Sequence, residues 1–357
     1  MSPPVVSQPV VRLGAVVVTY NRLAQLQVTL ARLLAEPVDH VMVVENAGSD
    51  GTADWLATQL DPRLHVMIMP QNTGGAGGFE AGLAALCDRY DPDWCVLMDD
   101  DGRPMPGALT RFRTAVAGID PDGITPGVIA AVVSYPDGRL CDMNLPSRNP
   151  FWNLSLFLRK QHGRTRSGFH LTDAELAPGA PAQPVDVTSF VGYFVSRGAI
   201  KRGGLPDGGL FIYGDDVLYS LHLRRAGVGI LVIPALRFEH DCTTMGPGFV
   251  YRPLWKIYYH CRNGVGIARA AAGPVLSVAA LLWYITLYWR RSRHCLPQER
   301  VIYRQMMWAG LRDGLAGRRG RNDAVHAAGG SPQVMLGAAS ASVSGPRRAV
   351  AKPGQEG

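Results

Sequence analysis

Three consecutive carboxylates, Asp99, Asp100 and Asp101, follow the apolar run DWCVLM (93–98). In a strand, alternate residues face one way, so Asp99 and Asp101 are expected to project together while Asp100 points elsewhere. Carboxylates crowded at a dry strand end raise one another's pKa unless a cation lies between them. A divalent ion that takes its other ligands from a diphosphate meets that need, because Mg²⁺ and Mn²⁺ prefer hard oxygen donors. A second acidic pair, Asp215 and Asp216, opens the helical stretch in YGDDVLYSLHLRRAG (213–227). There one acid can cap the helix or hold a substrate hydroxyl while the other accepts a proton. Simple helix capping is the plainer alternative for both clusters.

Residues of this kind need a frame, and the N-terminal third supplies the pattern for one. LGAVVVTY (13–20), HVMVVEN (40–46), RLHVMIMP (63–70) and DWCVLM read as strands. The helical patterns LAQLQVTLARLLA (23–35), ADWLATQL (53–60) and FEAGLAALCDRY (79–90) lie between them. That alternation is the mark of β-α-β units in a mostly parallel sheet, whose ligands bind beyond the carboxyl ends of the strands. TYNR (19–22), ENAGSDGT (45–52), QNTGGAGG (71–78) and DDD all fall at that edge. Each could be an ordinary turn; their joint placement points to one binding edge. The glycine cluster is not a dinucleotide fingerprint, since the sixth residue counted from Gly75 is Glu80, and no P-loop pattern occurs. Hydride transfer and P-loop hydrolysis lose support, and close approach of backbone to an anion at a helix N-terminus remains.

With 357 residues, 47% hydrophobic and 18% charged, the chain can bury one substantial core plus an extension. The formal charge of +7 gathers toward the C-terminus in RRSRH (290–294) and GRRGR (317–321), beside the uncharged stretch 270–289. Such cations suit an anionic membrane surface or an acidic substrate. Nucleic acid is disfavoured, because no interleaving of aromatic and basic residues appears. The stretch barely reaches the roughly 20 residues of a bilayer crossing, and Gly273-Pro274 shortens its helical part. A crossing would also carry the basic tail over the membrane. A helix in the membrane interface is therefore expected, with Trp283, Tyr284, Tyr288 and Trp289 at headgroup depth, and a buried core or dimer helix is the plainer alternative. Six scattered cysteines without a C-x-x-C pair lead us to expect neither a cysteine zinc site nor a disulfide framework, and a reducing compartment. Met1 to Val10 lacks the pattern of a signal peptide, and both ends of the chain are expected to be mobile.

VVVTYNR, VVENAGSDGT, NTGGAGGF and LMDDDG, followed by LPDGGLFIYGDDVLYSLHLRRAG (205–227), FEHDC (238–242) and YYHCRN (258–263), resemble family 2 glycosyltransferases of the GT-A fold over about residues 12–265. The combination is most similar to bacterial galactofuranosyltransferases of cell-wall galactan synthesis, with rhamnosyltransferases as near relatives. The resemblance implies an α/β fold with a Rossmann-like nucleotide-sugar-binding sheet, flanking helices and a C-terminal helical, membrane-associating extension. The expected layout is a flexible 1–10, a transferase domain at 11–265, a membrane-associating segment at 266–316 and a disordered tail at 317–357. The implied activity is inverting, metal-dependent transfer, with galactofuranose from UDP-galactofuranose as the best reading. A rhamnosyltransferase using dTDP-rhamnose and a non-catalytic nucleotide-sugar or glycan binder are the alternatives.

By the same resemblance, Thr19, Asn21 and Arg22 would line the nucleotide pocket, and Glu45, in place of the more usual Asp, would hold the base or ribose. Asn72, Gly75 and Gly77 would border the diphosphate and sugar. Asp99 and Asp101 would form a D-x-D motif on Mn²⁺ or Mg²⁺, with Asp99 also able to reach the ribose, and Asp100 would belong to the substrate-binding edge. His240 would be the third metal ligand and Asp216 the base, assisted by Asp215. Trp152, Trp255 and Arg262 are candidates for the acceptor side. The implied partners are a nucleoside-diphosphate sugar, a lipid-linked saccharide and the cytoplasmic face of a membrane, with homo-oligomerisation left open.

Overall fold

The structure, a computed structural model, describes residues 11–153, 155–156, 169–242, 245–246 and 250–328. The expectation of mobility for 1–10 and 329–357 lies outside them.

β1 (Leu13–Thr19) is buried along its whole length and pairs in parallel with both β2 (His40–Glu45) and β4 (Trp94–Asp99). β3 (Leu64–Ile68) adds to β2 in parallel. Helices cover both faces, so β1 and β4 read as continuous apolar runs rather than alternating ones. α1 (Leu23–Leu34) turns Leu26, Leu30 and Leu33 inward at helical spacing, and α2 (Thr52–Ala57) buries Leu56. α3 begins at Gly74 and runs to Tyr90, so most of the glycine cluster, expected to be a turn ahead of a helix at 79–90, forms the helix's first turns. The reason is proximity to the sheet. A Cβ at Gly78 would stand 2.5 Å from Val18 Cγ1, and one at Gly82 would stand 2.7 Å from Val16 and Val44.

Beyond β4 the sheet becomes mixed. β5 (Gly102–Pro104), α4 (Ala108–Val116), β6 (Val128–Ser134), β7 (Gln183–Val185), β8 (Tyr193–Ser196), α5 (Arg197–Gly203), α6 (Asp215–Arg225) and β9 (Ile230–His240) follow. The strand order is β3-β2-β1-β4-β8-β6-β9-β5, with β7 on β9. β8 lies antiparallel to β4 and β6, β5 lies antiparallel to β9, and β6 and β9 are parallel. The mostly parallel sheet expected from the N-terminal third is thus one half of a mixed, GT-A-like sheet.

α7 (Lys256–Arg291) is broken at Gly273 (φ 73°), immediately before Pro274. α8 (Pro297–Leu315) packs on its first half so closely that side chains at Gly310 and Gly314 would collide with the carbonyl oxygens of Tyr258 and Arg262. After the break, helical spacing divides the apolar residues into two stripes. Ser277, Ala280 and Tyr288 turn inward, whereas Val275, Val278, Leu282, Trp283 and Trp289 are exposed. The expectation of headgroup depth therefore fails for Tyr288, which is buried against His260, and Tyr284 is half-buried. Residues 317–328, expected to be disordered, fold back and end in α9 (Asp323–Ala328). Gly320 N–H donates to Gly209 O (2.7 Å), Asn322 N–H to Tyr259 Oη (2.9 Å), and His326 packs on Trp255 with ring centres 4.1 Å apart. The partners are Tyr259 on α7, Trp255 just before it and the 208–210 turn, all distant in sequence, so composition alone did not reveal them.

Candidate active site

The carboxyl ends of β1 and β4, the end of β9 and the starts of α3, α6 and α7 surround a cavity of about 670 Å³. Its floor is acidic. Asp100 is buried and accepts from Thr19 Oγ1–H (2.9 Å) and Arg22 Nη1–H (3.1 Å). Asp101, also buried, accepts from the same Arg22 nitrogen at 2.5 Å. The expectation that Asp100 would point away fails because β4 ends at Asp99 and the chain turns there. Strand alternation no longer governs the next two residues, and Asp99, Asp100 and Asp101 all line the cavity.

The antiparallel register of β5 on β9 sets Gly102 opposite His240, which brings Asp101 Oδ1 to 3.2 Å from His240 Nε2. The other ring nitrogen, Nδ1, meets Asn144 Oδ1 at 2.8 Å. Donor atoms of Asp99, Asp101 and His240 all lie within 4.8 Å of one another. Burial, reinforced by the charge of Asp101, pushes Asp99 up to about 7. Burial likewise lifts Asp100 to about 7 against the opposing pull of Arg22. Burial also works against ionisation of Asp101, but His240 and Arg22 outweigh it and hold that carboxyl below its ordinary value. For His240, burial is overcome by the hydrogen bond to Asp101, and the imidazole rises to about 10. Two carboxylates and an imidazole gathered around one point form a donor set that fits Mg²⁺ or Mn²⁺.

Asp215 and Asp216 enter the cavity from the start of α6. Ahead of them Phe211, Tyr213 and Gly214 all have positive φ (66°, 65° and 80°). A non-glycine residue in that region is strained and persists only where neighbours impose it. Asn263 is such a neighbour: its Nδ2 donates to the carbonyls of Leu210 (3.1 Å), Ile212 (2.9 Å) and Tyr213 (2.7 Å). Arg262 Nη2 also donates to Leu210 O (2.6 Å). Burial and the negative charge of Asp216 drive Asp215 far above the carboxylate range. Burial raises Asp216 only to about 6, since backbone N–H groups, including that of Val217 at 2.7 Å, stabilise its anion. Burial therefore disfavours the anion more at Asp215 than at Asp216.

Residues 15–173 match the sequence profile of Glycosyl transferase family 2. Over 234 residues the chain is 31% identical to undecaprenyl-phosphate mannosyltransferase of Micrococcus luteus, an alignment that covers 64% of this chain and 85% of that protein. The chain belongs to glycosyl transferase family 2. This family 2 glycosyltransferase is also 28% identical to galactofuranosyltransferase GlfT1 of Mycolicibacterium smegmatis, over 64% of the chain and 71% of that protein. Its fold is similar to that of GalNAc-T7 solved with UDP, GalNAc and Mn²⁺, with a TM-score of 0.52 at 9% identity over 87% of this chain and 57% of the other.

Of the residues singled out from the sequence of this glycosyltransferase, Thr19, Arg22, Asn72, Gly75, Asp99, Asp100, Asp101, Asp215, Asp216 and His240 meet at the cavity. Asn21, Glu45 and Gly77 are not among its lining residues. Glu45 is buried and accepts from Gly48 N–H (2.6 Å), and Asn21 accepts from Ser49 N–H (2.6 Å), so both shape the adjoining turn. Gly77 packs on Thr73. Trp255 lines the cavity, Trp152 does not, and Arg262 is buried in the support of the Leu210–Tyr213 loop. Lys256, Arg321, His326 and Asn144 also line the cavity. Burial, with Arg22 nearby, lowers Lys256 to about 8. Lys256 adjoins Trp255, and Arg321 belongs to the basic run GRRGR expected to face a membrane or an acidic substrate, whereas no residue pattern in the tail marks His326.

Proposed function

We propose that this glycosyltransferase moves a sugar with inversion from a nucleoside diphosphate to a lipid-linked saccharide, the best reading being galactofuranose from UDP-galactofuranose in cell-envelope glycan synthesis. The observation that carries the reading is the meeting, in one cavity, of the Asp99, Asp101 and His240 cluster with Asp215 and Asp216. Asp99, Asp101 and His240 would hold Mn²⁺ or Mg²⁺, which when bound neutralises charge on a departing diphosphate. Arg22 and Lys256 add cations on the same side. Asp216, its carboxyl at about 6, takes the proton from the acceptor hydroxyl, while Asp215 can hydrogen-bond the acceptor sugar. Thr19, Asn72 and Gly75 border the donor, and Trp255 and His326 offer aromatic faces to the acceptor.

A lipid-linked acceptor is supported by the exposed apolar stripe of α7 and by Val301, Trp308 and Leu315 of α8, of which Val301 and Trp308 share a groove with Arg304 and Arg312. α7 is long and apolar enough to cross a membrane, and its break at Gly273 favours a helix lying in the interface on the cytoplasmic face. The named relatives include both a galactofuranosyltransferase and an undecaprenyl-phosphate mannosyltransferase, so a mannosyl donor is the second reading. Incubation of the full chain in membranes with labelled UDP-galactofuranose, GDP-mannose and dTDP-rhamnose separates these readings. Galactofuranosyl transfer with an inverted anomeric centre is expected; nucleotide-sugar binding without turnover of any donor would leave a binding protein instead.

A further inference from the structure

The six cysteines form no C-x-x-C pair, which spoke against a cysteine metal site. The fold nevertheless gathers two of them and a histidine from distant positions. Cys141 follows β6 and is held there by its N–H to Val133 O (3.0 Å) and by the Ser134 to Leu140 bridge. β6 runs beside β9 in the register Ser134 to Glu239. Cys242 stands two residues beyond His240, so it returns to the histidine's side while Asp241 goes to Arg103 (2.9 Å). As a result, Cys141 Sγ lies 3.8 Å from His240 Nδ1, and Cys141, His240 and Cys242 place their donor atoms within 4.8 Å of one another. Met143 Sδ is 3.9 Å from Cys242 Sγ and offers a fourth, thioether donor.

We propose that Cys141, Cys242 and Nδ1 of His240 form a second metal site, for a thiophilic divalent ion of the Zn²⁺ class. Tetrahedral Zn²⁺ with bonds of about 2.3 Å to sulfur and about 2.0 Å to nitrogen holds those atoms about 3.6 Å apart, close to the spacing present here. Sulfur and imidazole donors select such ions over Mg²⁺ and Mn²⁺. Binding releases to solvent the thiol protons and the Nδ1 proton, which in the ion-free protein is donated to Asn144 Oδ1 (2.8 Å). It also gives Asp101 a second role, since Nε2–H of the metallated imidazole donates to that carboxylate as an orienting partner.

Resting on the reading of Asp99, Asp101 and His240 as the Mn²⁺ site, a further consequence follows from His240 itself. A neutral imidazole has one lone pair, so Nδ1 bound to the thiophilic ion leaves Nε2 carrying hydrogen and unable to serve Mn²⁺. The two ions therefore compete for one ring.

The test is a Co²⁺ titration of the reduced full chain, followed by the near-ultraviolet thiolate-to-cobalt charge-transfer band. A saturable band at one equivalent is expected, lost in Cys141→Ser and in Cys242→Ser and retained in Cys87→Ser, which probes the other close thiol pair. No band in the wild type, or a band that survives the Cys141→Ser/Cys242→Ser double variant, would overturn the site. Thermal midpoints of the ion-free variants equal to the wild type exclude misfolding as the cause of a lost band. In parallel, one equivalent of Zn²⁺ should abolish the rise in melting temperature caused by Mn²⁺ in the wild type and leave it in the double variant. A Mn²⁺ rise that persists in Zn²⁺-loaded wild type would overturn the competition. A thiolate band in a chain that Mn²⁺ never stabilises would refute the Mn²⁺ site while the thiol site stands.

Discussion

Asp101 Oδ1 stands 3.2 Å from His240 Nε2 because β5 and β9 pair in a register that sets Gly102 opposite His240. The contact joins the D-x-D turn to the far end of the sheet. If this pair holds Mn²⁺ with Asp99, then Asp101→Ala and His240→Ala will each lose the Mn²⁺-induced rise in melting temperature. Turnover should fall by roughly two to three orders of magnitude in each. Thermal melts with and without Mn²⁺, alongside turnover in excess chelator, provide the check. Full activity in chelator would refute the assignment.

Asp216 makes a different prediction. Its carboxyl is raised to about 6, so the base is present above that pH and lost below it. The rate should therefore climb with pH through about 6, and Asp216→Asn should lower single-turnover rate by roughly two to four orders of magnitude with donor affinity retained. The sign for stability is opposite. A folded-state pKa above the unfolded 3.8 contributes stability below 3.8 that is lost as pH rises through about 6. Asp216→Asn should then melt no lower than wild type at pH 7 to 8, and a variant that is less stable yet fully active would reduce Asp216 to a helix cap.

Asn263 supports the acids without reaching them. Replacement by Leu leaves the carbonyls of Leu210, Ile212 and Tyr213 without its donor. Leu210 O keeps Arg262, so the loss falls on the half-buried Ile212 and Tyr213 carbonyls, and about 1 kcal/mol of stability is expected to go. Because the loop they belong to aims Asp215 and Asp216, kcat should fall more than KM rises. Denaturant midpoints and steady-state kinetics on one preparation test both parts.

Gly74 combines a φ of +73° with a position where a Cβ would collide with Phe211 O. Gly74→Ala should be destabilised by roughly 1–3 kcal/mol. Donor binding should weaken as well, since Ala76 N–H donates to that same carbonyl at 3.0 Å and the start of α3 lines the cavity. Calorimetric titration with UDP, paired with a thermal melt, measures the two effects; unchanged values would show that the turn yields freely.

The outward stripe of α7 gives a prediction independent of chemistry. Val278 and Leu282 are 63% and 61% exposed, so Val278→Glu and Leu282→Glu should leave the melting temperature unaltered. Both should reduce cosedimentation with anionic vesicles, because burial of apolar surface in the interface is lost and a like charge is added. High salt should release the wild type only partly, as screening leaves the apolar contribution intact. Unchanged vesicle binding would remove this face from the membrane.

The β-α-β alternation of residues 13–98 and the two acidic clusters were legible in the chain because each depends on local periodicity or on residue types needed at one turn, whereas the start of α3 at Gly74 was not, since it depends on close packing of those glycines against the sheet. Those features determined the parallel half of the sheet and most of the cavity edge. Tertiary structure alone decided which of those residues face the cavity. Asp100 joins Asp99 and Asp101 because the strand ends one residue before it, and Glu45 is satisfied by Gly48 N–H instead of the pocket. Long-range register brought His240 to Asp101 and both Cys141 and Cys242 to His240, pairings that no spacing along the chain encodes. Burial on α7 similarly turned Tyr288 inward and anchored His326, since a helix's partner face depends on the elements packed against it and its own sequence supplies only the stripes.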